Sequence, residues 1–551
     1  MQPFQQDDLY FAPRQTGTGK GQPEVESDFN MLFNLPSFAE GQDRRDLIHR
    51  IGELGKRRGP MDANDPKLTV TNPLNQSATN VDNRNFPEMT VGFTFWGQFL
   101  DHDITLEDSP LPTGDEWLDD AAIARKSSNN NLRSPFLDLD GVYGPDPGGI
   151  FIPADDPVGR LLYDRSFERF QDSAASIKFL MDRDAPWDVP RNSQLRALIG
   201  DPRNDENLIV SQFHLAFLKL HNRVMDHLTR QERAHHAQTG QRLFEDAPAK
   251  FREARKLVRW HYQYITVEQY LKVSLDTQVY DAVRAGGPTL FRARNPKGSP
   301  PKLPREFQVA AFRFGHSQVR PGYAPNRTFG APIFDATINP NEADPNDLRG
   351  GVRAPRRFVE WDVFFDFGTL EIAPASSAGG SPVTRLKVKP NKAIDTVIST
   401  ALFELPVAAA LPGVNDAERT LAGRNLLRHI QFKVPSGQGV AAELGYPVLS
   451  PGNFPVDVRE LGFHENTPLW YYILLEAQTQ QGGARLGKVG SRIIAEVFFG
   501  LLERDPNSYW CHDKNWVPVL PRRTPPPAGG DPNEHQKGFN IVDFLTFAGV
   551  A

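Results

Sequence analysis

Cysteine is almost missing from this chain: Cys511 stands alone among 551 residues. That excludes an internal disulfide, a thiolate-rich zinc or iron–sulfur site and a CxxCH attachment motif, so any metal must rely on histidine, carboxylates and backbone oxygens. No apolar run reaches the roughly 18 residues that a bilayer-spanning helix needs, and the opening MQPFQQDDLY lacks the basic and apolar regions of a signal peptide. The expectation is a soluble protein without a membrane span, cytoplasmic or secreted by a non-standard route. There is no sustained basic tract, and the net charge is -6 with both signs dispersed, which argues against nucleic acid as a partner. HExxH and GxSxG are absent, and GTGKG at 17–21 lacks the preceding strand and the Ser or Thr of a phosphate loop. No internal repeat is visible.

What is present is ordinary globular composition, with 39% hydrophobic and 24% charged residues. Proline (47) and glycine (44) are both frequent, which predicts long irregular connections. Loops are expected over 285–305, 320–356 and 374–383. Apolar residues recurring at helical spacing predict helices over 90–106, 206–228, 249–271, 393–411, 419–430 and 485–503. Residues 1–85 are polar and broken, with short structured candidates at 29–35 and 45–51, and read as an arm lying on a body that runs from 86 to 551. A Pro-rich stretch at 521–527 leads to an apolar segment, 539–547, expected to dock on the core. The fold class predicted is mainly α, a single large helical domain with long loops and little β structure.

Several segments carry groups capable of chemistry. In FWGQFLDHDITL, Gln98 and His102 share one helix face, while Asp101 and Asp103 point about 200° apart and cannot serve the same ligand. A solvated helix face is the bland alternative for a lone histidine. In SPFLDLDGVYG, Ser134, Asp138 and Asp140 present oxygens at even spacings, which suits a hard cation such as calcium or simply an Asx-rich turn. An EF-hand is excluded, since aligning Gly141 with its turn puts Phe136 at the first ligand position. GDPRNDEN places Arg203 and Glu206 three residues apart at a helix start, where a surface pair is the plain alternative. His214 and His221 lie two turns apart on the following helix, a spacing that favours core or surface roles over a metal pair. AAFRFGHSQVRP holds His316 with Arg313 three residues before it, and LAGRNLLRHI holds Asn425 and Arg428 at the same offset.

Taken together and in order, these segments resemble the animal-type haem peroxidase superfamily, which includes myeloperoxidase, peroxidasin and bacterial relatives. The resemblance spans at least 86–440, and TPLWYYILLEAQ and GSRIIAEVFFGLLERDPNSYW are similar to the C-terminal part of bacterial members. It implies haem b and Ca2+ as cofactors, with 86–551 as the catalytic domain. By it, Gln98 and His102 lie on the distal side with Arg203 as the distal arginine, and Asp101 and Glu206 form ester links to the haem. Asp103, Ser134, Phe136 through its carbonyl, Asp138 and Asp140 bind calcium, although Asp140 stands where mammalian members have serine. His316 is the proximal iron ligand, Asn425 its partner, and Arg313 and Arg428 lie beside the propionates. As a neutral amide, Asn425 is expected to give the His316 ring less anionic character than a carboxylate would.

The implied activity is reduction of hydrogen peroxide and oxidation of small donors (bromide, iodide, thiocyanate or phenols) through a ferryl porphyrin radical, with a role in the response to oxidative stress. Two other readings compete. Fatty-acid dioxygenases share the superfamily, and cyclooxygenases carry a radical-forming tyrosine three residues before the proximal histidine, where this chain has Arg313. A non-catalytic haem- or calcium-binding adhesion module is the other, and retention of His102, Arg203 and His316 argues against it.

Overall fold

A computed structural model describes residues 27–65, 85–107, 109–127, 130–144, 179, 186–334, 344–353, 355–368, 370–373, 383–386, 388–405, 416–523 and 538–551. Within them the chain is mainly α-helical, and its short strands join only in two-stranded pairs. The principal helices are α1 (Arg44–Gly55), α2 (Gly92–Ile104), α3 (Leu208–Thr239), α4 (Ala247–Ile265), α5 (Leu421–Gln431), α6 (Leu469–Gln481), α7 (Lys488–Arg504) and α8 (Ile541–Ala548). Periodicity located most of them. Among the described residues no helix is long and apolar enough to cross a membrane.

α2 runs through the core because Phe93, Phe95, Trp96, Phe99, Leu100 and Ile104 on it are all buried. A Cβ at Gly92 would lie 2.3 Å from the Phe365 ring, so only glycine admits that contact. Trp96 and Phe99 pack on Phe217 of α3 at ring-centroid distances of 5.9 and 4.7 Å. The terminal apolar segment docks as expected: Phe544 of α8 reaches Trp96 and Phe217 at 6.1 and 4.9 Å. Residues 29–55 contribute Phe29, Leu32, Leu47 and Ile51 to the same buried cluster.

Two local expectations fail for long-range reasons. The helix predicted over 393–411 does not form where described. Ile398 exchanges backbone hydrogen bonds with Met61 and Ala63, Asp395 accepts from the Val397 N–H, and only a 3₁₀ turn, Thr400–Phe403, follows. Residues 406–411 lie outside the described set. The loop predicted over 285–305 contains a short helix, Thr289–Arg294, whose N-terminal N–H groups of Leu290 and Phe291 are capped by Glu496 of α7. The loop expected over 374–383 falls outside the described residues except for Val383, the first residue of a strand.

Candidate active site

The end of α2 and the 3₁₀ turn Pro202–Asp205 form one wall of the site. Asp201 caps that turn, accepting the Arg203 N–H at 2.9 Å and the Arg203 guanidinium at 2.7 Å. Burial alone would raise the Asp201 carboxyl, but Arg203 and Arg133 outweigh it and hold it well below the usual range. Arg203 also donates at 2.9 Å to the backbone carbonyl of His102, near the α2 C-terminus, where helix carbonyls have no partner of their own and a cation suits the helix dipole. The arginine is thereby fixed beside His102. Burial, and then the charge of Arg203, push the His102 imidazole down to about 4, so it is neutral near pH 7. Its Nδ1 lies 2.9 Å from Asn204 Oδ1, and its Nε2 has no hydrogen-bond partner among the described residues. Asn207 caps α3 and donates at 3.1 Å to Gln98 Oε1, which ties the glutamine to this wall.

The neighbouring wall is the 3₁₀ helix Ala311–Gln318, packed against α2 and α6. Here Asn425 Nδ2 lies 2.8 Å from His316 Nδ1, while Arg313 Nη1 donates at 3.0 Å to Asn425 Oδ1. A guanidinium can only donate, so Oδ1 takes the Arg313 bond and Asn425 Nδ2 is the atom beside His316 Nδ1; a metal on Nε2 would leave the ring proton on Nδ1 and so call for the amide to turn its oxygen toward His316. Burial, and then Arg313, lower His316 to about 3. Its Nε2 too is without a partner among the described residues.

Asp101 adjoins His102 in sequence, and Glu206 follows Arg203 by three residues. Neither carboxylate accepts a hydrogen bond among the described residues. Burial raises both, Glu206 to about 7, against the opposing charge of Arg203. Asp101 also feels Arg313, so one carboxylate is within electrostatic reach of both walls. Arg428 binds Glu107 at 2.8 Å and the Ser109 carbonyl at 3.1 Å. Arg313 has no carboxylate in hydrogen-bond contact, and burial and Arg428 lower it to about 10. Arg305 lies between the rings of Phe29 and Phe432, at 3.7 and 4.1 Å. This donor set, with imidazole Nε2 atoms and carboxylates unbonded among the described residues and an Arg313 that has no carboxylate in hydrogen-bond contact, fits a flat metal-centred ligand with anionic edges.

A second cluster lies at the other side of α2. Oxygens of Asp103, Asp138 and Asp140 come within 4.8 Å of one another, all buried. Burial, and then Asp138 and Asp140, raise Asp103 well above its usual range, and burial raises Asp140 to about 7. Ser134 Oγ donates to Asp138 at 2.8 Å, Tyr262 donates to Asp103 at 2.9 Å, and the Phe136 N–H reaches Ser134 Oγ at 3.4 Å. Asp140 is engaged on both oxygens, by Arg133 Nη1 and the Ser134 N–H, each at 3.0 Å. Arg133 Nε also lies 3.8 Å from Asp201, linking this cluster to the Arg203 wall.

Sequence reasoning missed Asn204, Glu107, Arg305, Arg133 and Tyr262; Asn204, Glu107 and Tyr262 have partners more than a hundred residues away, at His102, Arg428 and Asp103, that leave no local pattern. It also set His214 and His221 aside. His221 pairs with Tyr143 at 3.0 Å, but His214 contacts Asn204.

The animal haem peroxidase family model matches residues 119–341. Mouse myeloperoxidase is 25% identical over 485 residues, 77% of this chain and 60% of the mouse protein. This chain thus spans about three fifths of that relative's length. Among solved structures, peroxidase A from Dictyostelium discoideum aligns with a TM-score of 0.44 at 16% identity, covering 93% of this chain and 97% of that one. Fatty acid alpha-dioxygenase from Arabidopsis thaliana aligns with a TM-score of 0.49 at 14% identity, covering 86% and 72%.

Proposed function

We propose that this chain, which belongs to the animal-type haem peroxidase superfamily, is itself a peroxidase that reduces hydrogen peroxide and oxidises small donors. The observation that supports this best is a neutral His102 with an unpartnered Nε2 beside Arg203, on a wall adjoining the Arg313–Asn425–His316 chain. His316 Nε2 would hold the iron and Arg313, aided by Arg428, the propionates. Bound haem supplies an iron centre that peroxide can ligate and that stores its two oxidising equivalents. His102 Nε2 takes the proton of the incoming peroxide and returns it to the departing oxygen. Arg203, held by Asp201 and the His102 carbonyl, offers its guanidinium to the negative charge on that oxygen. Gln98 orients water or a halide near His102. The acidic cluster would bind calcium through Asp103, Ser134, the Phe136 carbonyl, Asp138 and Asp140. An absorption spectrum of the haem-loaded protein before and after one equivalent of peroxide tests the proposal. A Soret shift that donors reverse supports it; no shift overturns it.

Asp101 and Glu206 accept no hydrogen bond among the described residues, and are expected to become ester links to the haem. Mass spectrometry of the denatured protein after peroxide turnover should show added mass, lost in Asp101→Ala/Glu206→Ala. Complete extraction of the haem by acid and butanone would rule the links out.

Bromide, iodide and thiocyanate are expected to be oxidised faster than chloride. The chloride-oxidising members of the superfamily carry a methionine after the ester glutamate, which forms an electron-withdrawing sulfonium link. Here Asn207 has no sulfur, and its side chain is committed to capping α3 and holding Gln98. A less electron-poor haem is a weaker two-electron oxidant. Steady-state turnover with each halide at matched pH measures this, and equal chloride and bromide rates would contradict it.

A further inference from the structure

His214, buried on α3, has no part in the reading above. Its Nδ1 lies 3.2 Å from Asn204 Nδ2, and Asn204 Oδ1 lies 2.9 Å from His102 Nδ1. All three residues are buried, with His214 at 1%, Asn204 at 2% and His102 at 6% exposure, so no solvent can substitute for a lost partner.

An amide nitrogen only donates and an amide oxygen only accepts, which makes the orientation of Asn204 decisive. With Oδ1 toward His102, that ring carries its proton on Nδ1 and keeps the lone pair on Nε2. With the amide reversed, His102 Nδ1 would accept, its proton would sit on Nε2, and Nε2 could no longer take a proton from peroxide. Reversal also requires His214 to carry a proton on Nδ1, because Oδ1 would now face it. The tautomers of the two rings are therefore linked in opposite senses through one amide. A reversal of Asn204 alone would set donor against donor and acceptor against acceptor.

We propose that His214 is a positioning residue which, through Asn204, holds His102 in the tautomer whose Nε2 can accept a proton. The inference rests on the reading of His102 as the proton acceptor. It requires His214 to be protonated on Nε2 and unprotonated on Nδ1. The Asn204 backbone, anchored by its N–H to the Asp201 carbonyl at 3.0 Å, places the amide between the two rings.

The test uses haem-loaded protein with ¹⁵N-labelled histidine rings, in the diamagnetic ferrous-carbonyl form, where two-bond ¹H–¹⁵N correlations distinguish the tautomers. The unaltered protein should show His102 protonated on Nδ1 and His214 on Nε2, and any other combination overturns the proposal without need of a variant. In His214→Leu the His102 tautomer should become mixed, and the peroxide reaction should slow by roughly tenfold if the competent form falls to about a tenth. In Asn204→Asp either carboxylate oxygen can accept from His102, so adding His214→Leu should have no further effect on tautomer or rate. An equal slowing by His214→Leu in both backgrounds would mean a packing role and overturn the proposal. If the unaltered protein failed to react with peroxide, the proposed function would fall, while the tautomer comparison would still decide whether His214 governs His102.

Discussion

His102→Ala is expected to retain haem while reacting with hydrogen peroxide about 10²- to 10⁴-fold more slowly, the range over which a positioned general base accelerates proton transfer. Retention follows from the other wall: His316, Asn425 and Arg313 make no hydrogen bond to the His102 side chain. The imidazole is held neutral by burial and by Arg203, so it is competent as a base well below pH 7. Its replacement should therefore remove rate rather than merely shift a pH optimum. Stopped-flow spectra at a series of peroxide concentrations measure the second-order constant. An unchanged constant would remove His102 from the mechanism.

Removal of divalent cations should produce the second large effect, on stability rather than rate. Asp103, Asp138 and Asp140 are buried together and each is raised, by burial first and for Asp103 next by the other two. A raised folded-state value means that the protonated form is favoured in the fold. The associated stability is present below about pH 4, where unfolded carboxyls titrate, and is lost as pH rises through the folded values, about 7 for Asp140. Chelated protein should therefore melt at progressively lower temperature from about pH 5 to pH 8. Bound calcium would replace the protons and should flatten that trend, adding about 4 kcal/mol at a thousandfold excess over its dissociation constant. Magnesium, which demands a tighter octahedral shell, should not substitute. Asp103→Asn should abolish the calcium response, and melting curves with EDTA or calcium across this range are the measurement. Identical curves with and without calcium at pH 8 would dispose of the site.

Much of this arrangement is legible locally. The helical spacing that puts Gln98 and His102 on one face and turns Asp101 and Asp103 apart survives folding, because α2 is regular to Ile104 and each carboxylate meets a different environment. The mainly helical class follows from the same periodicity. What escapes a sequence reading are contacts between residues a hundred or more positions apart: Asn204 with His102, Arg313 with Asn425, Glu107 with Arg428. The orientation of the Asn425 amide depends on the Arg313 guanidinium, a contact that residue identity alone does not place. The helix expected over 393–411 failed for a related reason. Its apolar spacing was sound, but the backbone around Ile398 found partners at Met61 and Ala63.

Arg133 stands between Asp140 and Asp201, and so between the acidic cluster and the arginine beside His102. A cation drawn to Asp140 competes with Arg133 for that carboxylate and leaves more of the Arg133 charge for Asp201, which in turn shares less of its own with Arg203. Any such influence must run both ways, since two ligands that alter one another's binding do so by the same factor. An anion that engages Arg203 and loosens its hold on Asp201 would then change the affinity of a cation at the acidic cluster by whatever factor that cation changes that of the anion.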